Sequence, residues 1–361
     1  MKILKDYSLK KHNTFRVDVK AKYFAEVKSE KQLIEVLQYP EVKDLPLLII
    51  GDGANILFTK DFEGLVIKVE IKGIKVHKES DGNVILEVGA GEEWNDLVKF
   101  AVDHNWGGIE NMGMIPGTAG AAVAQNIAAY GQNLFDVFES LDAFDVAHKV
   151  LRKFERDDCE FSYRESMFKG KYKNKFVITN IRIKLNKDPK INDAYFETGK
   201  TYTAKGSLEE ELRKIASEPF SVKDVYEAVK NIRKNKLPDP KEIGTAGSFF
   251  KNPIVRRDVY ERLKLEDPDL QCYPVDKLTY PKLDDPTLTH ADYVKLPAGR
   301  LLDDLGWKGK RIGKVGTFSN QALAVVNYGA TGKEILEFTK KMQEVVYKKY
   351  KIKLELEVNV I

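Results

Sequence analysis

The 361-residue sequence contains few of the features that mark metal-binding, disulfide-stabilised or membrane-spanning proteins. Its two cysteines, Cys159 and Cys272, lack C-x-x-C spacing, which argues against a zinc site or a disulfide framework. We therefore expect no metal site. The densest apolar stretch, residues 119–124, is far too short to cross a bilayer, and the N-terminus lacks a signal-peptide core. We therefore expect a cytoplasmic protein that does not bind membranes.

The sequence also lacks a basic block or stripe. Lysine and arginine total 59 against 55 acidic residues, and the net charge of +4 is spread along the chain. This pattern argues against nucleic-acid binding, which needs clustered positive charge, and it is compatible with a small anionic substrate.

The order of predicted elements indicates an α+β protein with three regions, residues 1–75, 76–218 and 219–361. Short β-like runs surround a helical segment at 30–39, and Trp94 begins an amphipathic helix with i, i+3, i+4, i+7 spacing. Ser221 and Asp224 form a capping-box-like start of a third helix. A last helix is predicted near 333–350, followed by a strand at 354–361. The mixture lacks strict βαβ alternation, which favours α+β over a doubly wound sheet.

Three glycine-containing loops could bind phosphate through closely spaced backbone N–H groups. The first, IIGDGANILF (49–58), lacks the third glycine of a dinucleotide fingerprint, so a plain turn between strands is the alternative. The second, IPGTAGAAVAQN (115–126), is unusually bare, which suggests that something large and flat lies against it. The third, AYFETGKT (194–201), fits a permissive P-loop pattern, but it carries bulky residues and no helix follows directly. We reject that P-loop hypothesis.

The motif GSFFKNP (247–253) contains a serine that is not a hydrolase nucleophile. A G-x-S-x-G elbow would need glycines where Ala246 and Phe250 stand, and no later histidine is marked as its base. Ser248 is therefore either a structural turn residue or a group with different chemistry.

Several blocks in a fixed order resemble one family, the UDP-N-acetylenolpyruvoylglucosamine reductases of peptidoglycan synthesis. The blocks are IIGDGANILF (49–58), GIENMGMIPGTAGAAVAQNIAAYG (108–131), CEFSYRESMFK (159–169), NKLPDPKEIGTAGSFFKNP (235–253), VKLPAGRLLDDLGWKGKRIG (294–313), NQALAVVN (320–327) and LELEVNVI (354–361). The resemblance implies an FAD-binding fold of the vanillyl-alcohol-oxidase (PCMH) type in two subdomains, 1–75 and 76–218, and a C-terminal α+β domain, 219–361, for the UDP-sugar. It also implies non-covalent FAD, NADPH as hydride donor, and UDP-N-acetylmuramate dehydrogenase activity.

By this resemblance, the first two glycine loops bind FAD. The implied cofactor residues are Gly51, Asp52, Gly53, Ala54, Asn55, Ile115, Pro116, Gly117, Gly120, Gln125, Asn126 and Ala128. Bare backbone would let a dinucleotide approach the main chain closely. Ala54 stands where the family often has serine, which would remove one phosphate hydrogen bond.

The implied reaction is a conjugate reduction, in which hydride passes from NADPH to the flavin and then to an enolpyruvyl ether. Arg164 matches the arginine that grips the substrate carboxylate, with a surface ion pair as its alternative reading. Ser248 matches the proton donor. Glu357 matches an acid that could act if burial raises its pKa, and its alternative is a solvated strand face.

The resemblance also implies contacts to the UDP-sugar. The implied substrate residues are Tyr130, Tyr195, Arg233, Lys236, Asn252 and Gln321. Tyr195 is the expected tyrosine of a lid loop, 186–206, with Tyr202 as its rival. Asn359 stands where the family often has arginine, which puts one substrate contact in doubt.

Two other functions stay open at this stage. The chain could be another FAD-dependent oxidoreductase of the same fold, although no histidine lies in either glycine loop to tether FAD. A non-catalytic flavin or UDP-sugar binding protein would predict loss of Arg164, Ser248 and Glu357, which are all present. We expect a monomer.

Overall fold

The structure is a computed structural model that describes residues 2–191, 208–283 and 285–361. Contacts between α-carbons group the chain into two units. Unit 1 contains residues 1–7, 20–53 and 62–234, and unit 2 contains 8–19, 54–61 and 235–361. Two short segments of the predicted first region, 8–19 and 54–61, thus group with the C-terminal residues. The subdomain boundaries at 75 and 218 stay predictions.

The first sheet of unit 1 has four strands. In spatial order they are Ile3–Ser8, Lys20–Val27, Phe62–Val69 and Leu47–Ile50. Phe62–Val69 pairs in parallel with both of its neighbours, and its central run from Leu65 to Ile67 is buried. Such continuous apolar runs are typical of parallel strands covered on both faces. Helix Glu30–Leu37 follows the second strand of the chain and is capped by Ser29.

The second sheet of unit 1 has five antiparallel strands. In spatial order they are Val150–Glu155, Phe138–Asp145, Phe176–Asn186, Asn83–Gly89 and Ile74–Glu79. Arg182 on the central strand bridges Glu87 at 2.8 Å and Asp142 at 2.6 Å on the two flanking strands. A hairpin, Ala128–Ala129 with Gln132–Asn133, lies outside this sheet.

Periodicity predicted some helices of the described part of unit 1, but Ala119–Gln125 forms inside the segment that was predicted as a glycine-containing loop, because its alanines favour a helix. They are Glu30–Leu37, Trp94–Asp103, Ala119–Gln125, Leu134–Val137, Leu208–Ile215 and Val222–Lys236, which ends two residues beyond the unit. Trp94, Leu97 and Ala101 are all buried, which confirms the apolar face predicted for that helix. The predicted capping box is present, because Ser221 N–H donates to Asp224 Oδ2 at 2.8 Å and Asp224 N–H donates to Ser221 Oγ at 3.2 Å.

Unit 2 contains three small sheets. In spatial order, the first sheet has strands Gly244–Ser248, Gln321–Asn327, Val315–Phe318 and Arg311–Ile312. The second sheet has strands Ile254–Arg256, Tyr293–Lys295 and Tyr273–Pro274. The third sheet pairs Asn359–Val360 with Ile56–Leu57. The helices are Arg257–Glu266, Ala298–Asp304 and Gly332–Tyr350. The last helix confirms the prediction near 333–350.

One predicted strand is shorter than expected. Only Asn359–Val360 of residues 354–361 forms a regular strand, and Leu356 makes an isolated bridge to Phe250. The backbone here joins two different partners in succession, first the segment around Phe250 and then Ile56–Leu57, which interrupts a continuous ladder.

Short 3₁₀ helices complete the described chain. They are Lys10–His12, Pro40–Val42, Glu110–Met112, Asp157–Cys159 and His290–Asp292. A search of the helices in the described ranges finds none with the length and apolarity needed to cross a membrane.

Candidate active site

The two glycine loops that were predicted to bind cofactor contact each other in unit 1. A Cβ added to Gly51 would lie 2.3 Å from Thr118 Oγ1, and one added to Gly120 would lie 2.8 Å from Ala90 Cβ. Both glycines are therefore required by packing within the protein. Packing thus gives a second reason for glycine at these positions, and their predicted contacts to the cofactor stay predictions. The other loop glycines, Gly53 and Gly117, are buried and half-buried.

Asn126 supplies a polar atom that suits a bound dinucleotide. It follows helix Ala119–Gln125 in the left-handed conformation, with φ of 45°, and its Nδ2 donates to Ser162 O at 2.9 Å. Its Oδ1 is buried and has no hydrogen-bond partner in the part of the chain that the structure describes. A buried polar atom without a partner is costly, so a donor from a bound ligand would complete it.

The remaining predicted cofactor residues leave surface beside Asn126. Pro116 is exposed, and Ile115, Gln125 and Ala128 are half-buried. The residue types present therefore fit a flat group such as a flavin dinucleotide.

Asp52 in the first loop is already paired within the protein. Its carboxylate lies 3.7 Å from Lys68 Nζ, and Lys68 also bonds to Glu70. Burial raises the pKa of Asp52, and the nearby Lys68 charge opposes this.

Arg164 lies at a tight turn that the sequence did not predict. Ser162 and Glu165 exchange two backbone hydrogen bonds of 3.0 Å, and Arg164 adopts φ of 59° between them. Its Nη2 donates to Ala128 O at 2.9 Å, and Lys169 Nζ donates to Arg164 O at 3.1 Å. A bulky residue in this conformation is strained, which is a common property of functional positions. Lys169 was missed as a positioning group, although it lies in the same quoted block.

Tyr130 and Arg233 join Arg164 in one cluster. Tyr130 adopts φ of 47° and Gly131 φ of 89° at the tip of the 128–133 hairpin. Tyr130 and Arg164 both lie close enough to Arg233 to influence the pKa of its guanidinium. Burial lowers the pKa of Arg233, the positive charge of Arg164 acts in the same direction, and Tyr130 opposes it. Two guanidinium groups held together in this way form a site that favours an anion.

In unit 2, the segments that carry Ser248 and Glu357 are neighbours. Glu357 N–H donates to Phe249 O at 2.9 Å, so the residue after Ser248 is bonded directly to the predicted acid. Ser248 ends strand Gly244–Ser248, and both Ser248 and Glu357 are half-buried. Gly247 has φ of 71° with open space around it, so its backbone conformation rather than crowding requires glycine.

The two phenylalanines of this motif belong to the core of unit 2. Phe249 is 0% and Phe250 is 1% exposed, and their rings meet edge to face at 5.3 Å. They anchor the turn that presents Ser248.

Asn55 is bonded to the C-terminal segment that carries Glu357. Its Nδ2 donates to Glu357 O at 3.0 Å, and Asn55 O accepts from the N–H and the Nδ2 of Asn359 at 3.0 and 3.2 Å. Asn359 therefore holds backbone at the position where the family often has arginine. Ala54 O accepts from Thr14 Oγ1 at 3.2 Å. The cofactor contacts of Asn55 and Ala54 stay predictions.

Two predicted substrate residues, Asn252 and Gln321, each lie next to the start of helix Ala298–Asp304. Asn252 Oδ1 accepts from Ala298 N–H at 3.0 Å, and a Cβ on Gly299 would lie 2.9 Å from Gln321 Oε1. Asn252 thus has a structural bond in addition to its predicted sugar contact. Lys236 is exposed at the end of its helix.

Some predictions fall on residues that the structure does not describe. Tyr195, Tyr202 and the rejected P-loop 194–201 lie outside the described residues, as does most of the predicted lid loop.

Comparison with known proteins finds matches along the whole chain. Residues 21–152 match the model of an FAD binding domain, and residues 239–361 match the C-terminal domain of UDP-N-acetylenolpyruvoylglucosamine reductase. The reductase of that name from Flavobacterium johnsoniae is 43% identical over 100% of both chains. Those from Amoebophilus asiaticus and Pseudomonas aeruginosa are 39% identical over 100% of both chains and 38% identical over 98% of this chain and 97% of the relative.

Two solved structures share the fold. The reductase from Thermus caldophilus has a TM-score of 0.65 at 21% identity, with 99% of this chain and 98% of that chain covered. Cholesterol oxidase from B. sterolicum has a TM-score of 0.51 at 11% identity, with 99% of this chain and 86% of that chain covered. These matches confirm the predicted fold class, an FAD-binding fold with a C-terminal α+β domain.

Since relatives of 37 to 43% identity extend over nearly the full length of the chain, it belongs to the UDP-N-acetylenolpyruvoylglucosamine reductase family.

Proposed function

We propose that this chain reduces the enolpyruvyl ether of UDP-N-acetylglucosamine enolpyruvate to UDP-N-acetylmuramate, with non-covalent FAD and with NADPH as reductant. The observation that carries the proposal is the cluster of Arg164, Arg233 and the Tyr130 hydroxyl. Its paired guanidinium groups suit an anionic substrate, and the chain retains this cluster together with an FAD-binding domain.

When bound, FAD supplies the two-electron reduction of the substrate double bond. Gly51, Gly53 and the 115–128 segment would hold it, and Asn126 Oδ1 offers an acceptor for one of its donors. Gly51 and Gly120 support this function indirectly. Because they lack side chains, the two loops can pack closely, Gly51 against Thr118 and Gly120 against Ala90.

Arg164 would bind the substrate carboxylate. Reduction at the terminal carbon places negative charge on the adjacent carbon and on that carboxylate, so a fixed guanidinium stabilises the transition state more than the ground state. The bond to Ala128 O and the tight turn orient the guanidinium before substrate arrives. Arg233, on its own helix, adds a second positive charge to the same cluster.

Ser248 would deliver the proton to the carbanion-like carbon, and Glu357 would assist on the developing enolate. A serine hydroxyl is a weak acid, so its competence depends on fixed placement and on rapid reprotonation. The placement comes from the left-handed Gly247 before it and the buried Phe249 after it. The bond from Glu357 N–H to Phe249 O ties the two segments together.

The UDP moiety would be bound by Lys236, Asn252 and Gln321, with Tyr195 or Tyr202 on the lid loop. The bond from Ala298 N–H to Asn252 Oδ1 supports this, because it fixes the orientation of the Asn252 side chain. UDP-sugars and NADPH are intracellular metabolites, which places the reaction in the cytoplasm, and we expect the enzyme to act as a monomer.

The test begins with the purified protein and its two half-reactions. A yellow protein that releases its colour on denaturation is expected, and under anaerobic conditions NADPH should bleach the flavin and the enolpyruvyl sugar should restore its absorbance. A folded protein without flavin affinity would rule the proposal out. Bleaching of the oxidised flavin by small alcohols or sterols, together with no reoxidation by the sugar, would indicate another oxidoreductase of this fold.

Ser248→Ala then tests the proton donor. Flavin reduction by NADPH should be unchanged, and reoxidation by the enolpyruvyl sugar should slow by roughly 10² to 10⁴-fold, the usual contribution of general acid catalysis. The exposed Ser319 in the same unit supplies the control variant, Ser319→Ala, which should behave as wild type. An equal fall of both half-reactions in Ser248→Ala would contradict this role.

A further inference from the structure

Glu110 is a buried carboxylate to which the proposed function assigns no role. It is 1% exposed and begins the 3₁₀ helix Glu110–Met112. Its Oε2 accepts from Gly108 N–H at 2.6 Å, and its Oε1 accepts from Gln132 Nε2 at 2.8 Å. Buried carboxylates are rare unless they are bonded in this way, so the position has a specific requirement for an acceptor.

The hydrogen bonds continue from Glu110 to the hairpin that carries Tyr130. Gln132 Oε1 accepts from Asn111 N–H at 2.9 Å, and Asn111 Nδ2 donates to Tyr130 O at 2.7 Å. Because Gln132 Oε1 accepts from the backbone N–H of Asn111, its Nε2 points towards Glu110 and donates to that carboxylate. A carboxylate at position 110 is therefore the complementary partner.

The same hairpin holds the anion-binding cluster in place. Ala128 O accepts from the Arg164 guanidinium, and Tyr130 lies close enough to Arg233 to raise the pKa of its guanidinium against the effect of burial. Tyr130 lies in a left-handed conformation in which an aromatic residue is strained. The bonds to Gln132 and to Tyr130 O act on the two sides of that turn, so they oppose its relaxation.

We propose that Glu110 is a positioning residue, whose buried carboxylate acts through Gln132 and Asn111 to hold the 128–133 hairpin and thereby orients Arg164 and Arg233 for the anionic substrate. The inference rests on the proposed function for its effect on catalysis. It adds to that function a role for Glu110 and Gln132, neither of which need touch substrate.

The bonding pattern allows a reciprocal substitution as the test. In Glu110→Gln, the amide at position 110 cannot accept from both Gly108 and Gln132, so two donors face each other whichever way either amide turns. In Glu110→Gln/Gln132→Glu, the new amide accepts from Gly108 and donates to the new carboxylate, which also accepts from Asn111 N–H. The double variant thus reproduces the bonds from Gly108 N–H, from the amide and from Asn111 N–H, with the carboxylate moved by one step.

The experiment compares the holoenzymes of wild type, both single variants and the double variant. In Glu110→Gln, kcat/KM for the enolpyruvyl sugar should fall about 10- to 100-fold, the loss expected when reacting groups are misplaced by about 1 Å. Flavin affinity and the NADPH half-reaction should be unchanged. The double variant should recover most of the loss. Asp145→Asn is the matched control, because Asp145 is a 4% exposed carboxylate that bonds instead to His148 and Arg152.

The proposal is overturned if the double variant is no better than Glu110→Gln, if both half-reactions fall alike, or if Asp145→Asn causes the same selective loss. Amide hydrogen exchange of segment 128–133 provides a readout that is independent of activity. Exchange should accelerate in Glu110→Gln and return towards wild type in the double variant, and unchanged exchange in the single variant would overturn the proposal. A wild type that the sugar does not reoxidise would disprove the proposed function alone, since hydrogen exchange would still decide whether Glu110 holds the hairpin.

Discussion

Arg164 donates through Nη2 to the carbonyl oxygen of Ala128 at 2.9 Å, and this bond joins the predicted catalytic arginine to a predicted cofactor residue. Two further bonds connect the same segments, from Asn126 Nδ2 to Ser162 O and from Ser166 Oγ to Ala124 O. The turn that presents Arg164 is thus held by the bare Ala/Gly segment, so the predicted cofactor and substrate residues of unit 1 share one support.

The left-handed backbone at Arg164 predicts that glycine there is more stable than alanine. Arg164→Gly should exceed Arg164→Ala in free energy of unfolding by about 1 kcal/mol, because a Cβ in this conformation costs about 1 to 2 kcal/mol. Both variants should lose reoxidation by the enolpyruvyl sugar. Urea denaturation and stopped-flow absorbance measure the two effects. Equal stability of the two variants would show that the turn relaxes without strain.

The contact between Tyr130 and Arg233 predicts energetic coupling between their side chains. Tyr130→Phe removes only the hydroxyl, which acts on the half-buried Arg233, and should cost about 1 to 3 kcal/mol. Arg233→Met should also lower stability and raise KM for the sugar, and adding Tyr130→Phe to it should cause no further change. A double-mutant cycle on stability and on KM for the sugar measures the coupling. Additive effects would indicate that the two groups act independently.

The close approach of Gly51 to Thr118 predicts that even one methyl group is not tolerated. Gly51→Ala should lower the free energy of unfolding by about 1 to 3 kcal/mol, the usual cost of overpacking, and should weaken flavin binding. Thr118→Ala in the same chain should restore part of the loss, because it removes the two nearest atoms. Gly82→Ala is the control, since a Cβ there meets nothing within 4 Å in the described structure. Thermal unfolding and flavin titration test these expectations.

Arg182 is predicted to stabilise the five-strand sheet in a pH-dependent way. Arg182→Met would leave Glu87 and Asp142 without their shared partner, at a cost of about 3 kcal/mol for largely buried groups. Hydrogen bonds from Lys75 and then from Arg182 lower the pKa of Glu87, although burial opposes them.

The sign of the pH effect follows from that lowered pKa. A carboxyl group whose pKa is lower in the folded than in the unfolded chain stabilises the fold above its ordinary range and loses this effect as the pH falls. The difference between wild type and Arg182→Met should therefore be large at pH 7 and shrink below about pH 4. Urea titrations at both pH values measure this difference. Arg256→Met is the control, because it breaks the exposed ion pair with Asp258 and should hardly change the free energy of unfolding. A difference that grows in acid would contradict this assignment.

The two cysteines are predicted to differ in reactivity. Cys159 is buried, and burial together with the nearby carboxylates of Asp158 and Glu155 raises the pKa of its thiol to about 12. Cys272 is half-buried. An aromatic disulfide reagent at pH 8 should modify one thiol in the native protein and two in urea. Rapid modification of native Cys272→Ser would show that Cys159 is accessible.

Local sequence signals determined the regular elements. The helix at Trp94–Asp103, the capping box at Ser221 and the last helix Gly332–Tyr350 follow from periodicity and short-range bonds, and all three were predicted. The family blocks also identified the FAD-binding fold, because their order along the chain is itself specific.

Only the tertiary structure decided which of these residues meet. Gly51 lies against Thr118, Asn55 bonds to Glu357 across 302 positions, and Glu110 reaches the Tyr130 hairpin through Gln132. The left-handed turns at Tyr130 and Arg164 oppose local preference, so no local rule could predict them. Periodicity reports which face of an element is buried, whereas the partners of a buried polar group depend on how distant segments fold together, and that information is not contained in any short stretch of sequence.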